Sequence, residues 1–586
     1  MASAFLSTPP APSPSVTCPD SHDLPSHCLL QLCHKKSRIW VEVFLLIGVF
    51  LSLFTHLANG RRYTSRTWTF RYPLWAAYLT IASVVSYTLG MMSDQPPALH
   101  SNLYFPWGIM FIVIAYQLKG SISAFSLDDN ENGMKMLLEQ VLLSVYIFGA
   151  LPPSGEVDGH SFNVRKWSLV AFCVLSILVY GETAYARMIA SLSSKGVAYW
   201  VGADIASYME KEHQLADNDS MDPSSMVGYR YFVDFMKGRK VTIEDIWSCQ
   251  GKVLCTGNRQ KDDRRKDLCL SFAFFWLLLR RYGGYPLHEA RQDKTWRLVS
   301  ENLLPDDGGE PERAFKVIEL ELHFLYDFFY TKHCALYVLW PNWLYFYHCF
   351  VISMCISLTL GMINSHALYE DTGAVQFLGI NLDIIVTWML LVTFVILYIL
   401  KGFSYATSIW TRVQLMCYYV QKNLFNDWFL EMILRMDWAM RRPNWERKLG
   451  QYSFLVSYAY VPWYRSACNA QRNGLYSFLD SFFMLFDLPR NGQREEKRIN
   501  LSKQVKEAIG RSIKKNGHKL SDGVEALRGH GFNVERLSQI YPSNSIAEHI
   551  LTWHIATSLA AKDRGARPSG EDWNEYDVAV SLSNYC

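Results

Sequence analysis

Apolar residues in this chain gather into a few long runs separated by polar stretches. Seven runs are candidate membrane spans. Five of them, Ile39–Ala58, Tyr72–Met92, Trp167–Arg187, Trp343–Ile363 and Gly379–Leu400, are about 20 residues each, enough to cross a bilayer as a helix. Phe105–Leu118 and Leu137–Leu151 are short for a span, so a re-entrant or tilted course stays open for both. The pattern predicts an all-α, polytopic helical membrane protein of about seven spans, with mainly helical water-side regions.

The runs divide the chain. Residues 1–38 are Ser/Pro-rich, lack the basic-then-apolar order of a secretory signal, and read as a disordered N-terminus. An N-terminal membrane bundle over 39–187 is followed by a long polar region, 188–342, which must hold structure of its own. The last two spans occupy 343–400, and 401–586 forms a C-terminal region. Within 188–342 the stretch DLCLSFAFFWLLLRRYGG is too short for a span and suits a buried or interfacial helix. Near the end, Leu501, Val505, Ile509 and Ile513 recur at helical spacing among lysines, predicting a surface helix packed on a core, with a membrane-surface or partner helix as the other reading.

Basic residues set the expected orientation. Arg61, Arg62, Arg66 and Arg71 crowd the loop after the first span, whereas the loops around 93–102 and 364–376 carry no Lys or Arg. The N-terminus is therefore expected outside the cytoplasm and the C-terminus in the cytosol, in a plasma membrane or endomembrane. Lys35, Lys36 and Arg38 pull the other way and are outweighed.

Composition narrows the classes. The 57 Lys+Arg and 54 Asp+Glu leave a net charge of +3, which argues against nucleic-acid binding by bulk electrostatics. The 13 cysteines are scattered without a C-x-x-C; the nearest spacings are Cys28–Cys33 and Cys249–Cys255, neither with a histidine pair at zinc-finger distance. They read as reduced structural thiols.

Several phrases resemble a known family. These are Glu42 and Arg61–Arg62 flanking the first span, Trp75-x-x-Tyr78-Leu79 and Leu89-Gly90 in the second, and SISAFSLDDNE with Asp129-Asn130. DLCLSFAFFWLLLRR, ELHFLYDFFYTK with Tyr326-Asp327, Asp383 with Thr387, Trp410, Trp445 and Gly450-Gln451-Tyr452 continue the series. ILTWHIATSLA, with Trp553 and His554, closes it. Together they resemble the plant membrane-protein family of domain of unknown function 4220, carrying a C-terminal domain of unknown function 594. The resemblance implies a multispanning plant membrane protein and supplies no reaction. Two departures stand out: Glu182 lies in VYGETAYAR without the family's usual basic neighbours, and the chain ends at SLSNYC where relatives continue with an apolar stretch.

Ionisable groups inside a bilayer are the first candidates for function. Here they are Glu42, Glu182 and Asp383, with His56 and Arg187 near span ends. One reading is a proton- or cation-coupled path. The favoured one is structural: Glu42 and Asp383 reach water from opposite ends, and Glu182 pairs with Arg187 or a neighbouring helix. Asp128-x-Asn130-x-Asn132-Gly133-x₅-Glu139 satisfies the EF-hand pattern, but Lys135 and Met136 and its place between membrane segments argue for a helix-capping loop, with calcium the weaker alternative and no other cofactor or metal implied.

No nucleotide-binding, metalloprotease, hydrolase, kinase or phosphatase motif occurs, so no enzyme is expected. His554 reads as a hydrogen-bonded core histidine, and Asp327 with Thr331 as a local i, i+4 pair. The sequons at Asn218 and Asn500 fall on the expected cytosolic side and should stay unglycosylated. The expected function is a non-enzymatic membrane scaffold or signalling component whose partners are the lipid bilayer and cytosolic proteins; the alternative is a transporter or channel using the three acids. Whether those acids converge decides between the two.

Overall fold

A computed structural model of the chain describes residues 26–58, 61, 68–94, 103–117, 124–131, 133–150, 181–190, 197–214, 221–234, 240–251, 253–255, 259–289, 292–304, 311–334, 376–377, 380–422, 447–461, 492, 496–517, 546–564 and 575–585, with a few isolated positions between. The described chain is mostly helical. Its helices are α1 (Ser26–Ala58), α2 (Trp68–Ser93), α3 (Tyr104–Ile112), α4 (Leu127–Glu131), α5 (Gly133–Ala150), α6 (Val197–Gln214), α7 (Ile243–Ser248) and α8 (Arg259–Tyr282). After them come α9 (Asp293–Arg297), α10 (Glu312–Tyr330), α11 (Leu382–Ala406), α12 (Ile409–Lys422), α13 (Phe454–Ser457), α14 (Lys503–Asn516), α15 (Ile546–Arg564) and α16 (Glu575–Tyr585). Residues 181–190 are also helical.

Among the described residues, three antiparallel strand pairs amend the all-α expectation: β1 (Phe232–Asp234) with β2 (Val241–Thr242), β3 (Gln376–Phe377) with β4 (Ile380–Asn381), and β5 (Lys448–Gln451) with the distant β6 (Glu496–Asn500). Strands this short carry no legible alternation of apolar and polar positions.

Among the described residues, three helices are long and apolar enough to cross a membrane: Ser37–Ala58, Phe70–Ser93 and Leu382–Ala406. They pack with α3 around one core that includes Val41, Leu45, Ile81, Trp107, Leu390 and Phe394. The short run expected at 105–118 becomes α3, continued by a wide turn Val113–Gln117, and every residue of α3 is buried. It is a central core helix, at about 1.5 Å per residue too short to span alone. Gly48 lets α1 approach it: a Cβ there would lie 2.2 Å from the Phe111 ring. The expected spans Trp167–Arg187 and Trp343–Ile363 fall outside the described residues, apart from the helical residues 181–187 and isolated positions.

A second core joins residues 181–190, α6, the β1–β2 hairpin, α7, α8, α10 and α12. The DLCLSFAFFWLLLRR stretch lies in α8, whose Leu268, Phe272, Phe275 and Trp276 are buried in this core, as the sequence suggested. Phe272, Phe275 and Phe324 all pack edge-on against Trp410 of α12, at 5.3–5.4 Å between ring centroids. Residues 409–422 thus share a core with the 188–342 region. Local signals start the helices here: Thr242 and Asp245 exchange the two bonds of a capping box at the start of α7.

The third unit is small. Leu449, Val505 and Val578 form its centre, with Leu501 and Ile509 packed against it, so α14 is the core-packed surface helix its spacing predicts. Ser502 caps α14 by accepting from Val505 N–H at 3.3 Å, and Gly517 at φ +57° ends it.

Candidate functional site

Glu42, Glu182 and Asp383, the acids expected inside the membrane, do not gather at one place. Asp383 opens α11 and Lys401 lies near its other end, about 27 Å away at 1.5 Å per residue. Two separate polar sets form there.

At the first, Arg38 Nη2 of α1 donates to Asp383 Oδ2 at 2.7 Å, and both side chains are buried. Glu42, one turn along α1 from Arg38, is 0% exposed and faces Asp383 and Arg38. Neither of its carboxylate oxygens has a hydrogen-bond partner among the described residues. Trp107 Nε1 of α3 donates to Thr387 Oγ1 at 2.9 Å, and Thr387 Oγ1 donates to the Asp383 carbonyl at 2.7 Å, which ties α3 into the same corner. The expectation that Glu42 and Asp383 reach water from opposite ends is therefore corrected. Both are buried under protein, and they meet because the Arg38–Glu42 turn of α1, where its membrane-length stretch begins, lies against the start of α11. Arg38, counted from the sequence only as a flanking positive charge, is their counter-ion.

At the second, Lys401 Nζ donates to Glu182 Oε2 at 2.7 Å and Tyr405 Oη donates to Glu182 Oε1 at 2.7 Å. Glu182 thus pairs with a neighbouring helix. Arg187, its other candidate partner, is instead buried beside Tyr78 and Asp129. Tyr405 packs edge-on against His333, centroids 5.5 Å apart, so this end of α11 touches the second core. Burial holds the His333 imidazole below its ordinary range, with Asp327 and Glu182 opposing the shift and His323 adding to it.

Of the residues singled out as motif residues, Asp327, Tyr326 and His554 make contacts within the fold. Asp327 of α10 is buried, and its Oδ2 accepts from Trp410 Nε1 at 3.1 Å and lies 3.7 Å from His323 Nε2. Thr331 bonds to the Asp327 carbonyl at 2.7 Å, so the local pair uses the backbone and leaves the carboxylate for α12. The Tyr326 ring lies 4.7 Å from that of Tyr330. His554 is buried: Phe454 N–H donates to Nε2 at 3.0 Å, which leaves Nδ1 to face the Ser583 carbonyl at 3.1 Å, and the core-histidine reading holds. Trp553 beside it is exposed.

The EF-hand pattern is not shaped as a loop. Asp128 and Asn130 lie in α4 and Glu139 in α5; Asn132, between them, is outside the described residues. Asp129 Oδ2 accepts from Phe125 N–H at 2.7 Å and Ser126 N–H at 2.9 Å, a helix-start cap. Among the described residues no group of three His, Cys, Asp or Glu side chains comes together as metal ligands.

Sequence reasoning missed Lys401 and Tyr405. The expected span stopped at Leu400, while α11 runs on to Ala406. A lysine one residue past an apolar run looks like an ordinary end marker; only its partner across 219 positions shows otherwise.

Neither the curated proteins nor the solved structures include a match to this chain. The family model for "Domain of unknown function (DUF4220)" matches residues 75–458. That stretch runs from α2 to α13 and holds Glu182, Asp327, Asp383, Lys401 and Trp410, whereas Arg38 and Glu42 precede it. The match covers well over half of the chain and both ends of α11, and the chain belongs to the DUF4220 family.

Proposed function

We propose that this chain is an integral membrane protein whose helical bundle is a structural anchor, and whose water-side half is a non-enzymatic scaffold or signalling component for protein partners. The separation of the acids carries this reading. A coupled transport path needs ionisable groups facing one wet cavity. Here the acids lie in two sets about 27 Å apart along α11, each with its own basic partner. Such pairs tie helices together.

The polarity of α11 supports the bilayer. Its exposed face is apolar, with Ile385, Trp388, Val392, Ile396, Ile399 and Phe403, while Asp383, Thr387 and Lys401 point inward. A helix in water has the reverse pattern. Because the start of the membrane-length stretch of α1 meets the start of α11, an odd number of spans lies between the two helices, and both a five-span and a seven-span arrangement satisfy this. The loop arginines favour an extracytoplasmic N-terminus and a cytosolic C-terminus. A plant source and a C-terminal likeness to domain of unknown function 594, which lies beyond the matched residues, belong to the same proposal.

One observation favours a second reading, proton- or cation-coupled transport: the buried Glu42 carboxylate without a hydrogen bond. Reconstitution tests the two. Full-length protein in vesicles with an internal pH-sensitive or cation-sensitive dye should give no flux above empty vesicles. A flux that Asp383→Asn or Glu42→Gln abolishes overturns the anchor reading.

A further inference from the structure

We infer that Cys249 and Cys255 form a reversible thiol–disulfide pair, an oxidative modification site that closes the loop between α7 and α8. Both are free thiols in this structure, Cys249 buried and Cys255 exposed. The loop folds each sulfur back on its own backbone. Cys255 Sγ lies 3.2 Å from the Cys249 carbonyl oxygen, and Gly251 N–H faces Cys249 Sγ at 3.5 Å. A carbonyl oxygen is about 2.4 Å from its own Cα, so the Cys255 sulfur is within about 5.6 Å of the Cys249 Cα. Side-chain rotation and a small loop shift bridge that gap within ordinary disulfide geometry.

The surroundings suit a switch rather than a permanent bond. Leu254 and Cys255 N–H both bond to the Gly251 carbonyl at 3.0 Å, which makes the loop a tight turn. Its far side is held by α8, where Arg265 Nη1 donates to the Val253 carbonyl at 2.6 Å. Val253 and Leu254 are buried in the second core, so oxidation moves the exposed Cys255 and leaves the anchor in place. Burial pushes the Cys249 thiol up, while Gly251 N–H and the Lys266 ammonium oppose that push. The exposed Cys255 is thus the thiol an oxidant meets first, and Cys249 the thiol that resolves it.

With a peroxide as oxidant the step balances. The Cys255 thiolate attacks the peroxide; an S–O bond forms, the O–O bond breaks, and hydroxide leaves, giving a sulfenic acid. The Cys249 thiolate attacks that sulfur; the S–S bond forms and a second hydroxide leaves. The two thiol protons convert both hydroxides to water, and two electrons have passed from sulfur to peroxide. A small thiol reductant reverses the bond by exchange.

Trypsin offers a direct test, because Lys252 lies between the two cysteines. Full-length protein in detergent is treated with hydrogen peroxide, alkylated, digested and weighed by mass spectrometry. The peptides Val241–Lys252 and Val253–Arg259 should appear as one linked species, lighter than their sum by two hydrogens, and dithiothreitol should separate them. Cys255→Ser, an exposed change that leaves the fold intact by circular dichroism, should abolish the linked species and leave Cys249 alkylatable after denaturation. Oxidation of Cys255 to sulfinic acid without the linked pair overturns the proposal. So does a bond from Cys255 to another cysteine or to a second copy of the chain.

Discussion

The two ends of α11 hold buried acids in different ways. At the Lys401 end, Glu182 is saturated, with one oxygen on an ammonium and the other on a phenol. At the Asp383 end, two carboxylates share one guanidinium, and Glu42 has no hydrogen bond among the described residues. Among the described residues, the Lys401 end sets one acid against one base and the Asp383 end two acids against one base. The same chemistry, a carboxylate in a helical bundle, therefore predicts opposite responses to neutralisation, because leaving a buried charge uncompensated costs far more than removing a superfluous one.

The largest effect should come from Lys401→Met. It takes the ammonium away from the buried Glu182 carboxylate and should destabilise the protein by about 3–5 kcal/mol in denaturant or thermal unfolding in detergent. A loss under about 1 kcal/mol would mean that water reaches Glu182 and the end is not closed. Asp383→Asn should follow, at about 3 kcal/mol, since it removes the buried carboxylate charge that Arg38 Nη2 meets at 2.7 Å. Glu42→Gln sharpens the contrast: with the second acid gone from beside Asp383, stability should stay within about 1 kcal/mol of the parent or rise. If Glu42→Gln is as damaging as Asp383→Asn, the two ends are alike and the comparison breaks.

Between these lies Gly48→Ala, which drives a Cβ into the Phe111 ring and should cost about 1–3 kcal/mol by overpacking. Rescue of stability by the double variant Gly48→Ala, Phe111→Leu would place the cost in that contact.

The smallest effects are pH slopes at the junction beyond Lys401. Burial holds His333 below its ordinary 6.5, so the unfolded chain takes up a proton that the folded chain refuses. Stability is full above about pH 6.5 and falls below it, by at most about 1.4 kcal/mol per pH unit. His333→Phe keeps the ring against Tyr405 and should remove this slope. Glu321 on α10 acts with the opposite sign. Burial pushes its carboxyl up from 4.5 to about 7, so its contribution is full below pH 4.5 and lost as pH rises towards 7. Glu321→Gln should remove that loss; unfolding midpoints across pH 4–8 separate the two.

Some of this was legible in the chain. Unbroken apolar windows placed α1, α2 and α11, because length and hydropathy are local properties. The spacing of Leu501, Val505 and Ile509 announced the packed face of α14, and His554 behaved as a lone histidine on an apolar helix usually does. The α8 stretch was placed as buried because its apolar run is too short for a span. The polar stretch around Asp128–Glu139 read as a helix-capping loop, and within it Asp129 caps the start of α4.

The site itself was half legible. Glu42, Glu182 and Asp383 stood out because charge is rare inside apolar runs. Their partners did not, because Arg38 and Lys401 lie at the margins of such runs, where a basic residue is unremarkable. Asp327 and Trp410 appeared only as separate motif residues, and the bond between them joins α10 to α12.

The sequence by itself determined which segments are apolar enough to leave water and which ionisable residues would have to follow them. That information is local, because hydrophobic burial depends on composition within one helix length. Only the tertiary structure decided which charge answers which, across 345 positions for Arg38 and Asp383 and 219 for Lys401 and Glu182. A buried ion pair is defined by a contact of a few ångströms, and in a chain with nearly equal numbers of acids and bases every acid has many candidate partners. Packing, with Gly48 against Phe111 and α3 at the centre, brings the Arg38–Glu42 turn of α1 against the start of α11 and so sets Glu42 beside Asp383.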